Sequence, residues 1–283
     1  MESLFLITSL LLIILALICT TIAFVQHRKT MLSRQKGSQE LAEHGTRGPR
    51  FIEIIIIVCV LLALVIISLA IISRVIYTGH GPFSSMYEFA VAFSWGIIVI
   101  GLIFRWYYRT ASVQNISLII ALLLLIFAVV QHSKPAPLVP ALQQSTLLSA
   151  HVASAVVAYG TLTIGFAAAI LLLIQNQRHS IWLPDSKMLD SISYNSVIIG
   201  FPFLTLLIIL GALWADIAWG SYWSWDPKET ASLFTWLIYA GYMHARVIRG
   251  WRGSKTAILL IVGFVAILLT FFGNYVFSGL HSY

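Results

Sequence analysis

Eight near-continuous apolar stretches run through this chain, at Leu4–Val25, Ile52–Ser73, Tyr87–Phe104, Gln114–Val130, Leu147–Ile174, Tyr194–Trp214, Glu229–Val247 and Thr256–Phe277. Each is about 18 residues or more, the length a helix needs to cross the apolar core of a bilayer. Only 10% of the 283 residues are charged and 59% are hydrophobic, so a soluble globular domain is excluded. The expected fold is all-α, a polytopic membrane protein of about eight transmembrane helices. The third and fourth stretches are the most interrupted by aromatic and polar residues. The first lacks a small-residue cleavage site and reads as a retained helix rather than a signal peptide.

The net charge of +7 could suggest nucleic acid, but its distribution points elsewhere. Taken in order, alternate connections between the stretches hold fourteen and three of the seventeen Lys and Arg residues. This is the positive-inside bias, and it puts both termini and the 215–228 connection on the outer face. Residues 1–50 comprise the first helix and a polar inner loop from Gln26 to Arg50, expected to be flexible. Residues 51–283 form the larger transmembrane domain. Pro135, Pro137 and Pro140 make the 133–145 loop extended. Cys19 and Cys59 lie inside apolar stretches and belong to no Cys-x-x-Cys pair, so they offer neither a disulfide framework nor a redox motif.

Four of the nine tryptophans, Trp214, Trp219, Trp223 and Trp225, fall within twelve residues between two apolar stretches. Such density at 214–226, read as an external loop, suits a large, flat, apolar ligand with a polar edge, and a porphyrin is the obvious candidate. Interfacial anchoring of the same indoles is the competing explanation. Asp226-Pro227-Lys228-Glu229 has the pattern of a helix start: a capping residue, proline at the first helical position and glutamate three residues after the cap. Asp226 can hold that helix start while the tryptophans bind, and Gly220 can supply a turn. Eight histidines are sorted by topology. His27, His44 and His179 fall in inner polar loops, and His80 and His132 in or beside outer ones. His151 lies about a turn inside the outer end of the fifth stretch, and His281 follows the eighth. Both can be structural, or together they can fill the two axial positions of one haem iron. His244 lies seventeen residues past Pro227, about 26 Å along its helix at ~1.5 Å per residue. An ionisable residue there reads as functional, or as a histidine placed favourably at a helix C-terminus.

Together, Trp214-Ala215, Trp219-Gly220, Tyr222-Trp223 and Trp225-Asp226-Pro227-Lys228-Glu229-Thr230 resemble the tryptophan-rich signature of the CcsA family, called ResC in Gram-positive bacteria. Gly79 to Glu88 and the ending Gly279-Leu280-His281-Ser282-Tyr283 are similar to that family as well, and the resemblance covers about residue 51 onward. It implies the membrane subunit of a system II cytochrome c synthase. Such a subunit carries haem b to the outer face and presents it for thioether attachment to the Cys-x-x-Cys-His of apocytochrome c. On that resemblance His151 and His281 are the external axial ligands of haem iron, and Trp214, Trp219, Trp223, Trp225 and Asp226 form the platform between them. His244 then holds haem in transit with a histidine of a separate CcsB/ResB-like partner. Synthase activity of the haem lyase type would belong to the complex of the two chains, served by thiol-reducing components. No residue reads as a dedicated acid–base catalyst, so positioning carries the chemistry. The expected location is a bacterial cytoplasmic membrane, with a thylakoid membrane as the alternative. Two other functions compete: a haem-delivery protein like CcmC without synthase activity, and a small-solute secondary transporter.

Overall fold

A computed structural model describes residues 2–35, 48–81, 85–131 and 145–276. They form eight helices: α1 (Glu2–Gln35), α2 (Gly48–Thr78), α3 (Met86–Tyr108), α4 (Ser112–Val130), α5 (Ser145–Arg178), α6 (Ser186–Trp219), α7 (Pro227–Val247) and α8 (Ser254–Val276). The described residues contain no strand, as expected where lipid cannot satisfy an open sheet edge. Each apolar stretch of the sequence is one helix. Several run further than hydropathy indicates: α1 continues to Gln35, into the expected flexible loop, and α6 begins at Ser186. The loop expected to be extended at 133–145 lies almost wholly outside the described residues.

Seven helices are long and apolar enough to cross a membrane; α7 is the exception. The cause is visible in its packing. Its buried residues are Thr235, Tyr239, Tyr242 and Ala245, while Phe234, Leu237, Val247 and Ile248 face outward. Polar side chains turned inward and apolar ones outward are what lipid as solvent demands.

Consecutive helices pair, α1 with α2, α3 with α4, α5 with α6 and α7 with α8; α5 also packs against α3 and α8 and so occupies the centre. Without a hydrophobic force between helices in lipid, close packing must hold them. The α3–α5 crossing uses two glycines: a Cβ on Gly96 would collide with Val156, and one on Gly160 would stand 2.6 Å from Ile100. Buried ion pairs tie two corners. Arg74 of α2 donates from Nε to Glu88 of α3 at 2.8 Å and from Nη1 to Glu2 of α1 at 3.3 Å, while the Tyr87 hydroxyl donates to Glu2 at 2.6 Å. At the opposite end Arg246 of α7 binds both carboxylate oxygens of Asp190 on α6, at 3.0 and 2.6 Å.

Candidate functional site

The α6–α7 connection is where the tryptophans fall, and its ends are set by local chemistry. Gly220 terminates α6 in the left-handed region at φ 78°, its N–H donating to the Asp216 carbonyl at 2.8 Å, a conformation glycine adopts without a Cβ penalty. Asp226 starts α7 as a capping box. Its carboxylate accepts from Lys228 N at 2.9 Å, and Glu229 accepts from Asp226 N at 3.3 Å. Glu229 also accepts from Ser224 N at 2.8 Å and from the Ser224 hydroxyl. One carboxylate thus gathers three donors of the connection and fixes its shape. Tyr222 donates its hydroxyl to Asp216, which holds that phenol above its ordinary pKa.

The expected external loop at 214–226 is therefore shorter than the sequence reading. Trp214 and Trp219 belong to the last turns of α6, and only 220–226 is non-helical. The alanines and the alternating small and large side chains of 214–219 continue a helix readily, and nothing before Gly220 breaks it. Nor do the four indoles form one slab. They make two edge-to-face pairs, Trp214 with Trp219 at 4.9 Å and Trp223 with Trp225 at 5.8 Å between centroids. Trp214 is 3% exposed, packed with Leu148 and Val152, whereas Trp225 is 69% exposed. Trp225 also takes φ 57°, a left-handed conformation that costs a residue other than glycine about 1–3 kcal/mol and marks a constrained place.

Beneath this connection lies a small cleft of about 90 Å³, partly open to the exterior. Phe89 of α3, Leu148, His151 and Tyr159 of α5, Leu207, Gly211 and Trp214 of α6, Tyr222 and Trp223 of the connection, Lys228, Glu229 and Ser232 of α7 and Thr270 of α8 line it. The lining is mostly apolar and aromatic, with a few convergent polar groups, the usual make-up of a small-molecule site. The Lys228 ammonium stands over the Phe89 ring at 5.7 Å.

Among the described residues, His151 is the one histidine brought to this cleft. Its Nδ1 lies 2.9 Å from the Leu207 carbonyl. A carbonyl only accepts, so Nδ1 carries the proton, and in the neutral ring Nε2 carries the lone pair. A backbone acceptor fixing the far nitrogen is the usual support of a metal-binding imidazole. Gly211 makes the contact possible: a Cβ there would stand 2.9 Å from His151 Cε1 and 3.2 Å from Nδ1. The ring thus lies against the bare backbone of α6. Sequence reasoning missed Gly211; its signal was a lone glycine inside an apolar helical run. Phe89 and Tyr159 were likewise not singled out by any motif, whereas Lys228 belongs to the tryptophan-rich signature read from the sequence.

The other sequence candidates lie elsewhere. His244 sits near the far end of α7, sixteen residues or about 24 Å from Lys228 along the helix. It is exposed, on the face opposite Tyr242. His281 lies outside the described residues. His80 is buried, with Nδ1 donating to the Gly81 carbonyl at 2.8 Å. Among the described residues no three His, Cys, Asp or Glu side chains group as a metal site.

Residues 83–281 match the family described as Cytochrome C assembly protein. The chain is 38% identical over 251 residues to the cytochrome c biogenesis protein CcsA of Guillardia theta, covering 79% of this chain and 83% of that one. It is 36% identical to CcsA of Prochlorococcus marinus subsp. pastoris, over 77% of this chain and 79% of that relative. Among solved structures it is similar to the cytochrome c heme lyase CcmF, with a TM-score of 0.61 and 18% identity. That likeness covers 96% of this chain but only about half, 47%, of the longer one, and at this identity it speaks to the fold alone.

Proposed function

We propose, since this chain belongs to the CcsA family of cytochrome c assembly proteins, that it holds haem b as a substrate in the cleft and presents it for thioether attachment to apocytochrome c. The observation that carries this reading is His151, its Nδ1 proton committed to Leu207 O and its ring seated on Gly211 within an apolar, tryptophan-edged cleft. Its Nε2 is the axial donor on one face of the macrocycle. His281 supplies the other; it follows in sequence eleven residues after Thr270, which lines the cleft. Trp223, Trp214 and Phe89 exclude water from the ring faces. The Lys228 ammonium is suited to a propionate at the polar edge.

In this reading the chain's work is positioning. Thiol addition to a haem vinyl group forms a C–S and a C–H bond while the S–H bond and the vinyl π bond break, with no electron left over. The protein need hold only the vinyl edge and the incoming Cys-x-x-Cys-His in register. Trp219 buttresses Trp214, and Trp225 with Asp226 fixes the mouth of the cleft. His244, turned outward near the basic end of α7, is met by a histidine of a CcsB/ResB-like partner and holds haem before it reaches the cleft. The synthase is the complex of both chains, in a bacterial cytoplasmic membrane whose inner face meets the loops rich in Lys and Arg.

Co-expression with a ResB-like chain and an apocytochrome c reporter tests this. Holocytochrome forms with the native chain and falls to background with His151→Ala, while the variant still accumulates in the membrane. Undiminished holocytochrome in that variant would refute the assignment.

A further inference from the structure

α7 presents a polar row to the interior of the bundle. Thr235, Tyr239 and Tyr242 are buried, and the same alternation of three and four residues reaches Ser232 at the cleft and Arg246 at the other end. The phenol hydroxyls of Tyr239 and Tyr242 are buried and have no hydrogen-bond partner among the described residues. A buried hydroxyl left unsatisfied costs about 1–3 kcal/mol, so two in succession indicate that a further donor and acceptor belongs beside them. The packing leaves a bare backbone there. A Cβ on Gly263 of α8 would stand 2.8 Å from Tyr239 Cζ and 3.1 Å from its hydroxyl.

We infer that this row is a water-bridged proton path through the bundle, joining the cleft to the basic end. Successive groups on the row are about 4.5–6 Å apart along the axis. Two hydrogen bonds through a single water span about 5.6 Å, of the same order as that axial spacing. At the cleft end, Thr270 lines the opening and shares a 3.0 Å hydrogen bond with Thr235. At the other end, Arg246, Asp190 and Tyr194 line an open pocket, the guanidinium paired with Asp190 and standing 4.9 Å over the Tyr194 ring. The row therefore ends in an opening at each side of the molecule. From Ser232 to Arg246 it covers about 21 Å, most of a hydrocarbon core about 30 Å thick. Threonine and tyrosine hydroxyls each donate and accept, as a relay requires, and they pass a proton without placing a fixed charge in lipid. His244 lies on the opposite face of α7 and is not part of the row.

The full chain is reconstituted into liposomes containing a pH-sensitive dye, and a potassium gradient with valinomycin drives protons inward. The native protein acidifies the lumen faster than protein-free liposomes. Tyr239→Phe and Tyr242→Phe each lower that rate severalfold, while Leu237→Phe on the outward face leaves it unchanged. A rate equal to that of protein-free liposomes, or one that both tyrosine substitutions leave untouched, overturns the path. Should the variants misfold, radiolytic labelling of native protein in oxygen-18 water decides. Label on Tyr239 and Tyr242 above that on the buried Phe264 supports the path, and label no higher than on Phe264 overturns it.

Discussion

Gly211 and His151 are 60 residues apart in sequence and touch in space, and that contact sets the chemistry of the cleft. Gly211→Ala drives a methyl group into the imidazole, displacing it from Leu207 O. The expected result is a several-fold loss of haem affinity, read by titrating the purified chain with haem and following its absorbance. Gly241 is the matched control, because a Cβ there meets nothing within 4 Å. Gly241→Ala in the isolated chain is expected to keep haem affinity and to stabilise α7 by up to about 1 kcal/mol through helix propensity alone, read from thermal unfolding in detergent. His151 was legible as a candidate because a histidine inside an apolar run stands out. Its partner was not legible, since Leu207 O is a backbone atom 56 residues away and no side-chain pattern marks it.

Helix ends were legible wherever a side chain makes the cap. Asp226-Pro227-Lys228-Glu229 reads as a capping box and folds as one, and Gly220 sits where a left-handed terminator is needed. Asp226→Ala removes the acceptor for Lys228 N and is expected to cost about 1 kcal/mol. Glu229→Gln weakens all three donors gathered from Ser224 and Asp226 and loosens the connection carrying Trp223. Hydrogen exchange of the Ser224 and Asp226 amides measures this directly: faster exchange in Glu229→Gln is expected, and native protection would show that the clamp is not what holds the connection. Less legible was the continuation of α6 to Trp219. Hydropathy falls after Trp214, but backbone hydrogen bonding does not follow hydropathy and stops only at Gly220. α7 shows the converse: its mean hydropathy is low, yet its three-four spacing sorts hydroxyls inward and apolar groups outward.

Across the whole molecule, the number of helices could be read from the chain, but their neighbours could not. Arg74, Glu88, Glu2 and Tyr87 come from three helices, and nothing local in the sequence announces that they meet. Arg74→Ala strands two carboxylates in a buried site and is expected to destabilise the fold by about 3–5 kcal/mol. The triple variant Arg74→Ala, Glu2→Ala, Glu88→Ala should recover part of that loss, read from thermal unfolding in detergent; no recovery would mean that the charges are not what the site holds in check. Because Glu88 precedes Phe89 on α3, this corner also sets one wall of the cleft. The central claim concerns the His151 imidazole, in a cleft lined from six elements. Its most direct test is the absorbance spectrum of the full chain purified from haem-replete cells, native against His151→Gly, with and without added imidazole. The account predicts a Soret band in the native protein, its loss in His151→Gly, and its return when imidazole fills the space left by the side chain. An undiminished Soret band in His151→Gly without imidazole would contradict it.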